Sequence, residues 1–165
     1  MNIDLETRVN DSSSKDLRLV LRLAAFNNLI QNELRNRLRI EFDMTTPRYD
    51  LLAQLSTESQ GLKMGELSER LMVSNGNITA ISLQLEKAGL IGRTTNRQDR
   101  RSTFIKMTSK GKKNFGQMED AYNQWIVELL SELPEQSKQQ LYENLSEAKK
   151  AASAILDTIN AKESI

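Results

Sequence analysis

Residues 64–112 read MGELSERLMVSNGNITAISLQLEKAGLIGRTTNRQDRRSTFIKMTSKGK, and the punctuation of this run decides the fold. Met64 to Leu71 has the spacing of one short helix. Val73-Ser74 turns the chain, and Ser74 is placed to cap a second helix from Asn75 to Ala88. Its apolar residues Ile78, Ile81 and Leu85 recur as on a core-facing side. Gly89 is the stop signal, because a left-handed residue after the last turn is cheapest as glycine. Leu90-Ile91, Arg93-Thr94-Thr95 and Ser102 to Met107 are β-prone and flank a charged tip, Asn96 to Arg101, so they are expected to pair as a hairpin. Thr108-Ser109-Lys110-Gly111 then caps another helix.

Two short helices followed by a strand-turn-strand with charge at its tip is the order of a winged helix-turn-helix. Charge placement agrees. Residues 63–113 hold 11 Lys and Arg against 4 Asp and Glu, a net of +7, while the whole chain carries +1, so the remainder sums to −6. A nearly neutral chain that gathers its positive charge in one segment suits a polyanion, since each neutralised phosphate releases condensed counterions.

Outward from this segment the chain reads as helices. Asp16 is a plausible cap for a long helix over 17–42, with Leu17, Leu21, Ala24, Leu29, Leu34 and Leu38 at helical spacing. Thr46 can cap the next, with Pro47 at its first position, where a missing N–H costs nothing. That helix ends near Ser56, and Gly61 follows. A helix from Thr108 continues through Phe115, Met118, Tyr122 and Trp125. Pro134 opens the last one, whose residues Leu141, Leu145, Ala148, Ala152, Ile155 and Ile159 form a stripe. The expected fold is therefore mainly α with a small β-wing. Residues 46–108 form the winged helix-turn-helix, 16–44 and 109–160 a helical dimerisation region, and 1–15 and 161–165 disordered ends.

Composition narrows function. The 165 residues include no cysteine and no histidine. Disulfides, thiolate metal sites and thiol redox sensing are excluded, as is the commonest general base. No nucleophile–base pair, phosphate-cradling glycine loop or metal cluster is legible, so no enzyme and no cofactor are expected. No apolar run is long enough for a bilayer, and the polar N-terminus lacks a signal-peptide core, so a cytoplasmic protein without membrane association is expected.

The chemistry then concentrates in two groups of residues. A major groove admits a helix, and the first residues of that helix reach base edges. Ser74, Asn75, Asn77 and Thr79 open the second helix of the quoted run. Asn can pair with adenine, and Thr can bond a base or meet a thymine methyl. The plainer reading of Ser and Asn at a helix start is capping, which suffices for Ser74. At the tip, Arg97, Arg100 and Arg101 can enter a narrow minor groove, with Asp99 holding one of them by a charge-assisted pair. Lys106, Lys110, Lys112 and Lys113 are candidates for phosphate contacts or plain surface.

The quoted run resembles the MarR family of winged-helix regulators. The carriers are the short helix, Leu85-Glu86-Lys87-Ala88-Gly89-Leu90, Arg93 after it, Asp99-Arg100-Arg101 in the wing, and Met107-Thr108 with Gly111. The long helices extend the likeness over about residues 17–160. The resemblance implies a homodimer joined through the terminal helices and a double-stranded, pseudo-palindromic DNA operator. It implies a repressor that lets go when a small ligand binds. Ala80 is a departure, since many members carry a longer polar side chain there. The stretch Thr45-Thr46-Pro47-Arg48-Tyr49-Asp50-Leu51-Leu52 is similar to members that control catabolism of hydroxycinnamates and other aromatic acids. For those, the effector is an aromatic acid or its CoA thioester. On that likeness Arg48 and Arg22 are the candidate anion partners, and Phe26, Tyr49, Met118 and Tyr122 the candidate walls. The plainer readings are a surface cation and core aromatics. A rival from another class is a helical protein-interaction module that kept the fold and lost DNA.

Overall fold

Residues 5–8, 10, 12–95 and 103–163 are described by the computed structural model. A turn of 3-10 helix, Leu5–Arg8, comes first, within the arm expected to be disordered. Then follow α1 (Lys15–Phe42), α2 (Thr46–Ser56), β1 (Leu62–Lys63), α3 (Met64–Leu71), α4 (Asn75–Lys87), β2 (Ile91–Thr95), β3 (Thr103–Met107), α5 (Ser109–Leu129) and α6 (Glu135–Glu163). The chain divides into two units, residues 1–126 and 127–165. The fold is mainly helical with a small antiparallel sheet, the winged helix-turn-helix arrangement.

Helix ends follow local chemistry, with small corrections to the sequence reading. Ser14, not Asp16, caps α1: its hydroxyl accepts from the Leu17 amide at 3.1 Å. Asp16 instead lies in the first turn, where its charge suits the helix dipole. Thr45 is the cap position of α2 and makes no side-chain cap bond, while Thr46 is already helical. Glu66 of α3 reaches back to accept from the Lys63 amide at 2.7 Å. Gly89 has a positive φ of 72° after α4, as its position required. Helix α6 runs to Glu163, past the boundary at 160 read from the sequence.

The turn between α3 and α4 is tight and locally satisfied. Ser68 Oγ donates to the Val73 carbonyl, and Ser74 Oγ accepts from the Asn77 amide at 3.3 Å. Met72 closes α3 in the left-handed region. On α4, Ile78 and Leu85 are fully buried. Ile81 is only half-buried, and Ser82 takes the inward place expected of it. Ser82 is tolerated there because its hydroxyl contacts Met64 Sδ at 3.8 Å.

The sheet has the order β1-β3-β2, all antiparallel. Ile91 pairs with Met107, Arg93 with Ile105, and Leu62 with Ile105 from the other side. Strand β1 was not expected. Beneath the sheet the core is built from Leu51, Leu52, Leu67, Ile78, Leu85 and Ile105, each fully buried. Burying a Leu or Ile side chain contributes about 1.5–3 kcal/mol, so this cluster dominates the stability of the lobe.

Aromatic rings join α1, α2 and α5 within the first unit. Tyr49 stacks on Tyr122 with centroids 4.7 Å apart and lies 5.5 Å from Phe115. Trp125 is 6.4 Å from Tyr122 and 6.1 Å from Phe42. In the second unit α6 is exposed over residues 139–162, including Leu141, Leu145, Ile155, Leu156 and Ile159.

Candidate nucleic-acid interface

Helix α4 is anchored by its inner side and presents the rest. With Ile78, Ser82 and Leu85 turned into the core, Asn75, Gly76, Asn77, Thr79, Ala80, Leu83, Gln84 and Lys87 are exposed. The Ser74 cap fixes where the helix starts, and so fixes which residues project from its first turn. Ser74 thus acts as the cap. Asn75, Asn77 and Thr79 are placed on the exposed surface, with the Thr79 hydroxyl donating to the Asn75 carbonyl at 2.8 Å.

A groove of about 320 Å³ runs beside this helix, lined by Met64, Asn75, Thr79, Arg93 and Ile105. Arg93 stands on β2, and its Nε lies 3.1 Å from Glu86 Oε2 on the last full turn of α4. Both groups are near 40 % exposed, so the pair contributes at most about 1 kcal/mol to stability. Its consequence is geometric: the guanidinium is held beside Thr79 and Asn75. Glu86 was missed as a site residue, although the Leu85-Glu86-Lys87 motif contained it. An i to i+7 pairing across a glycine stop has no local signature.

The far end of α4 is also tied down. Lys110 Nζ, on an exposed side chain, donates to the Ala88 carbonyl at 2.9 Å and so helps cap α4. Thr108 Oγ1 donates to the Gly89 carbonyl at 2.7 Å and accepts from the Gly111 amide at 2.9 Å. Lys112 and Lys113 are exposed, and Lys106 is half-buried. The tip residues Arg97, Asp99, Arg100 and Arg101 lie outside the described residues.

The second candidate group is divided. Tyr49 and Met118 are buried, and Tyr49 and Tyr122 pack against each other as core. Burial, with the nearby Tyr122, Glu119 and Asp50 adding to it, pushes the Tyr49 hydroxyl up to about 12. Burial also raises Tyr122, then Asp50, while a hydrogen bond with Gln31 opposes the shift. Asp50 is raised by burial as well. Arg48 opens α2 with one amino group on the Asp43 carbonyl at 3.2 Å, and its Nε is buried without a hydrogen-bond partner. Arg22 and Phe26 lie on exposed positions of α1. Among the described residues, no group of acidic side chains is placed to hold a metal ion, and no helix is long and apolar enough to cross a membrane.

Comparison with known proteins bears on the fold and the family. A model of the MarR family matches residues 44–103, from just after α1 to the first residue of β3. The transcriptional regulator PapX of Escherichia coli is 43 % identical over 86 residues, covering 52 % of each chain. The chain spans between half and two thirds of the length of such curated relatives. The Staphylococcus aureus MepR–DNA complex superposes with a TM-score of 0.68 at 21 % identity, covering 84 % of this chain and 99 % of MepR. CouR from Rhodococcus jostii RHA1, bound to p-coumaroyl-CoA, superposes with a TM-score of 0.69 at 16 % identity, covering 81 % and 93 %. At these identities the two structures establish the fold. The relatives are named as transcriptional regulators, a class without catalysis.

Proposed function

The chain belongs to the MarR family of winged helix-turn-helix proteins, and from that premise we propose that it is a homodimeric transcriptional regulator, a repressor, that binds a pseudo-palindromic operator in duplex DNA. The observation that carries this reading is α4. Its core side is fully engaged, its start is capped, and its remaining surface projects from the lobe that holds the net positive charge of the chain. A helix so held enters a major groove as a rigid body, with phosphate contacts setting register and base contacts setting sequence. MepR, which shares the fold, was solved on DNA. The second copy is expected to cover the apolar side of α6, where Leu141, Leu145 and Ile159 are each more than 40 % exposed.

Affinity measured against salt tests this. Binding to a duplex with two half-sites about one helical turn apart should fall steeply as salt rises. A flat dependence, or equal affinity for one isolated half-site, refutes it.

The reading extends to a ligand that releases DNA, an aromatic acid or its CoA thioester. Arg48 supports it: a buried guanidinium nitrogen without a partner, one residue from the Tyr49–Tyr122 stack, is suited to a carboxylate or phosphate. CouR holds such a thioester on the same fold. A ligand acts here only through its preference for the conformation that no longer matches two grooves. Trp125, the single tryptophan, packs on Tyr122 and reports the event by fluorescence. Titration with hydroxycinnamates and their thioesters should change that signal and release DNA, and Arg48→Ala should weaken the response. No response to any of them removes the ligand class and leaves the DNA reading intact.

A further inference from the structure

The exposed surface of α4 is not uniformly polar. At about 100° per residue, Gly76, Ala80 and Lys87 fall within about 30° of the line opposite the buried Ile78, Ser82 and Leu85, with Leu83 about 45° to one side of that line and Gln84 about 55° to the other. The line that projects furthest from the lobe therefore carries no hydrogen-bonding side chain until Lys87. Leu83 is 54 % exposed beside it. Thr79, further to the same side, has its hydroxyl proton committed to the Asn75 carbonyl.

One exposed leucine is ordinary on a protein surface. Its position is what matters here. Helical side chains lean over the turn that precedes them, so Leu83 covers the surface of Thr79 and Ala80, in the half of the helix that meets base edges. Ala80 is short enough to let the leucine reach past it. The surrounding lobe is positive, with Lys87 on the projecting line, so the occupant of this side is a polyanion and not an apolar protein surface.

We propose that Leu83 is a specificity-determining residue that reads thymine by van der Waals contact with the C5 methyl group, with Ala80 giving it access. This rests on the DNA-binding reading and adds what that reading lacks, the chemistry of its base selection. In the major groove the thymine methyl is the one apolar feature of a base edge, and an apolar side chain can distinguish it. The operator half-sites accordingly contain a thymine at a fixed position.

The test uses the full chain and duplexes selected by it from a random pool. In the tightest duplex, each thymine is replaced singly by deoxyuridine, which deletes the methyl and leaves every hydrogen-bonding group. One position in each half-site should lose about fourfold in affinity, the worth of one buried methyl. Leu83→Ala should bind the thymine and deoxyuridine duplexes equally at that position. If no deoxyuridine weakens binding, or if Leu83→Ala loses as much as the unaltered chain, the assignment is overturned while DNA binding stands. If the pool yields no bound duplex, the DNA-binding reading falls and this inference with it. The deoxyuridine scan of the unaltered chain needs no variant to fold.

Discussion

Lys110 on the first turn of α5 donates its ammonium to the Ala88 carbonyl at the end of α4, at a distance of 2.9 Å. With the Thr108 hydroxyl on Gly89, this welds the start of one helix to the stop of another. The approach is close. A Cβ built on Gly111 would lie 1.9 Å from the Leu90 carbonyl oxygen, a backbone atom that cannot swing aside.

Gly111→Ala should therefore destabilise by about 2–3 kcal/mol, the cost of forcing a packed backbone apart. Gly116→Ala, on the same helix with nothing within 4 Å of its Cβ, should stabilise by about 0.5–1 kcal/mol. Urea denaturation of both checks the contrast. Equal effects would show that helix propensity, not the Leu90 contact, governs position 111.

Met72→Gly should stabilise the lobe. Met72 has φ of 52° and is 92 % exposed, so it bears left-handed strain and contributes almost no burial. Relief of that strain is worth about 1 kcal/mol, less the extra freedom glycine gives the unfolded chain. A thermal midpoint unchanged or lowered in Met72→Gly would refute it.

Alkaline pH should unfold the protein through its buried tyrosines. Tyr49 is pushed from 10.0 to about 12, and Tyr122 is raised too. A folded-state value above the unfolded one means that stability is intact below pH 10 and is lost as pH rises from there toward 12. Tyr49→Phe should flatten that loss. Stability measured across this range, with phenolate absorbance, decides the matter; an identical slope in the variant would assign the loss elsewhere.

Substitutions at the two parts of the interface should separate. Asn77→Ala should relax preference at one position per half-site, at a cost of about 1–3 kcal/mol. Arg100→Ala or Arg101→Ala should weaken all sequences alike, because backbone and minor-groove contacts carry little base information. Selection of random duplexes by each variant reads the difference. An unchanged sequence preference in Asn77→Ala removes it as a base reader.

A chain ended at Leu133 should sediment as a monomer or fail to fold. Without α6 the exposed stripe from Leu141 to Ile159 is gone, and with it the surface expected to meet a second copy. A stable dimer after that deletion would place the interface elsewhere.

The residues determined by themselves whatever chemistry acts within one turn. Ser74 as a cap, Gly89 as a left-handed stop, Pro47 at a helix start and the β-branched runs around the wing are each legible from a few neighbours, because caps and turns are local. Tertiary packing decided what depends on distant partners. Strand β1 is two residues long and exists only because β3 offers an edge at Ile105 and Phe104. Ser82, not Ile81, takes the fully buried place on α4, with its hydroxyl 3.8 Å from Met64 Sδ. Lys110 became a cap, Glu86 an anchor for Arg93, and Tyr49 a stacking partner of Tyr122, through contacts between separate elements that no spacing rule encodes. Leu83 shows the same division. Periodicity placed it on α4, but only burial of Ile78 and Leu85 against the rest of the lobe settled which side of that helix stays exposed.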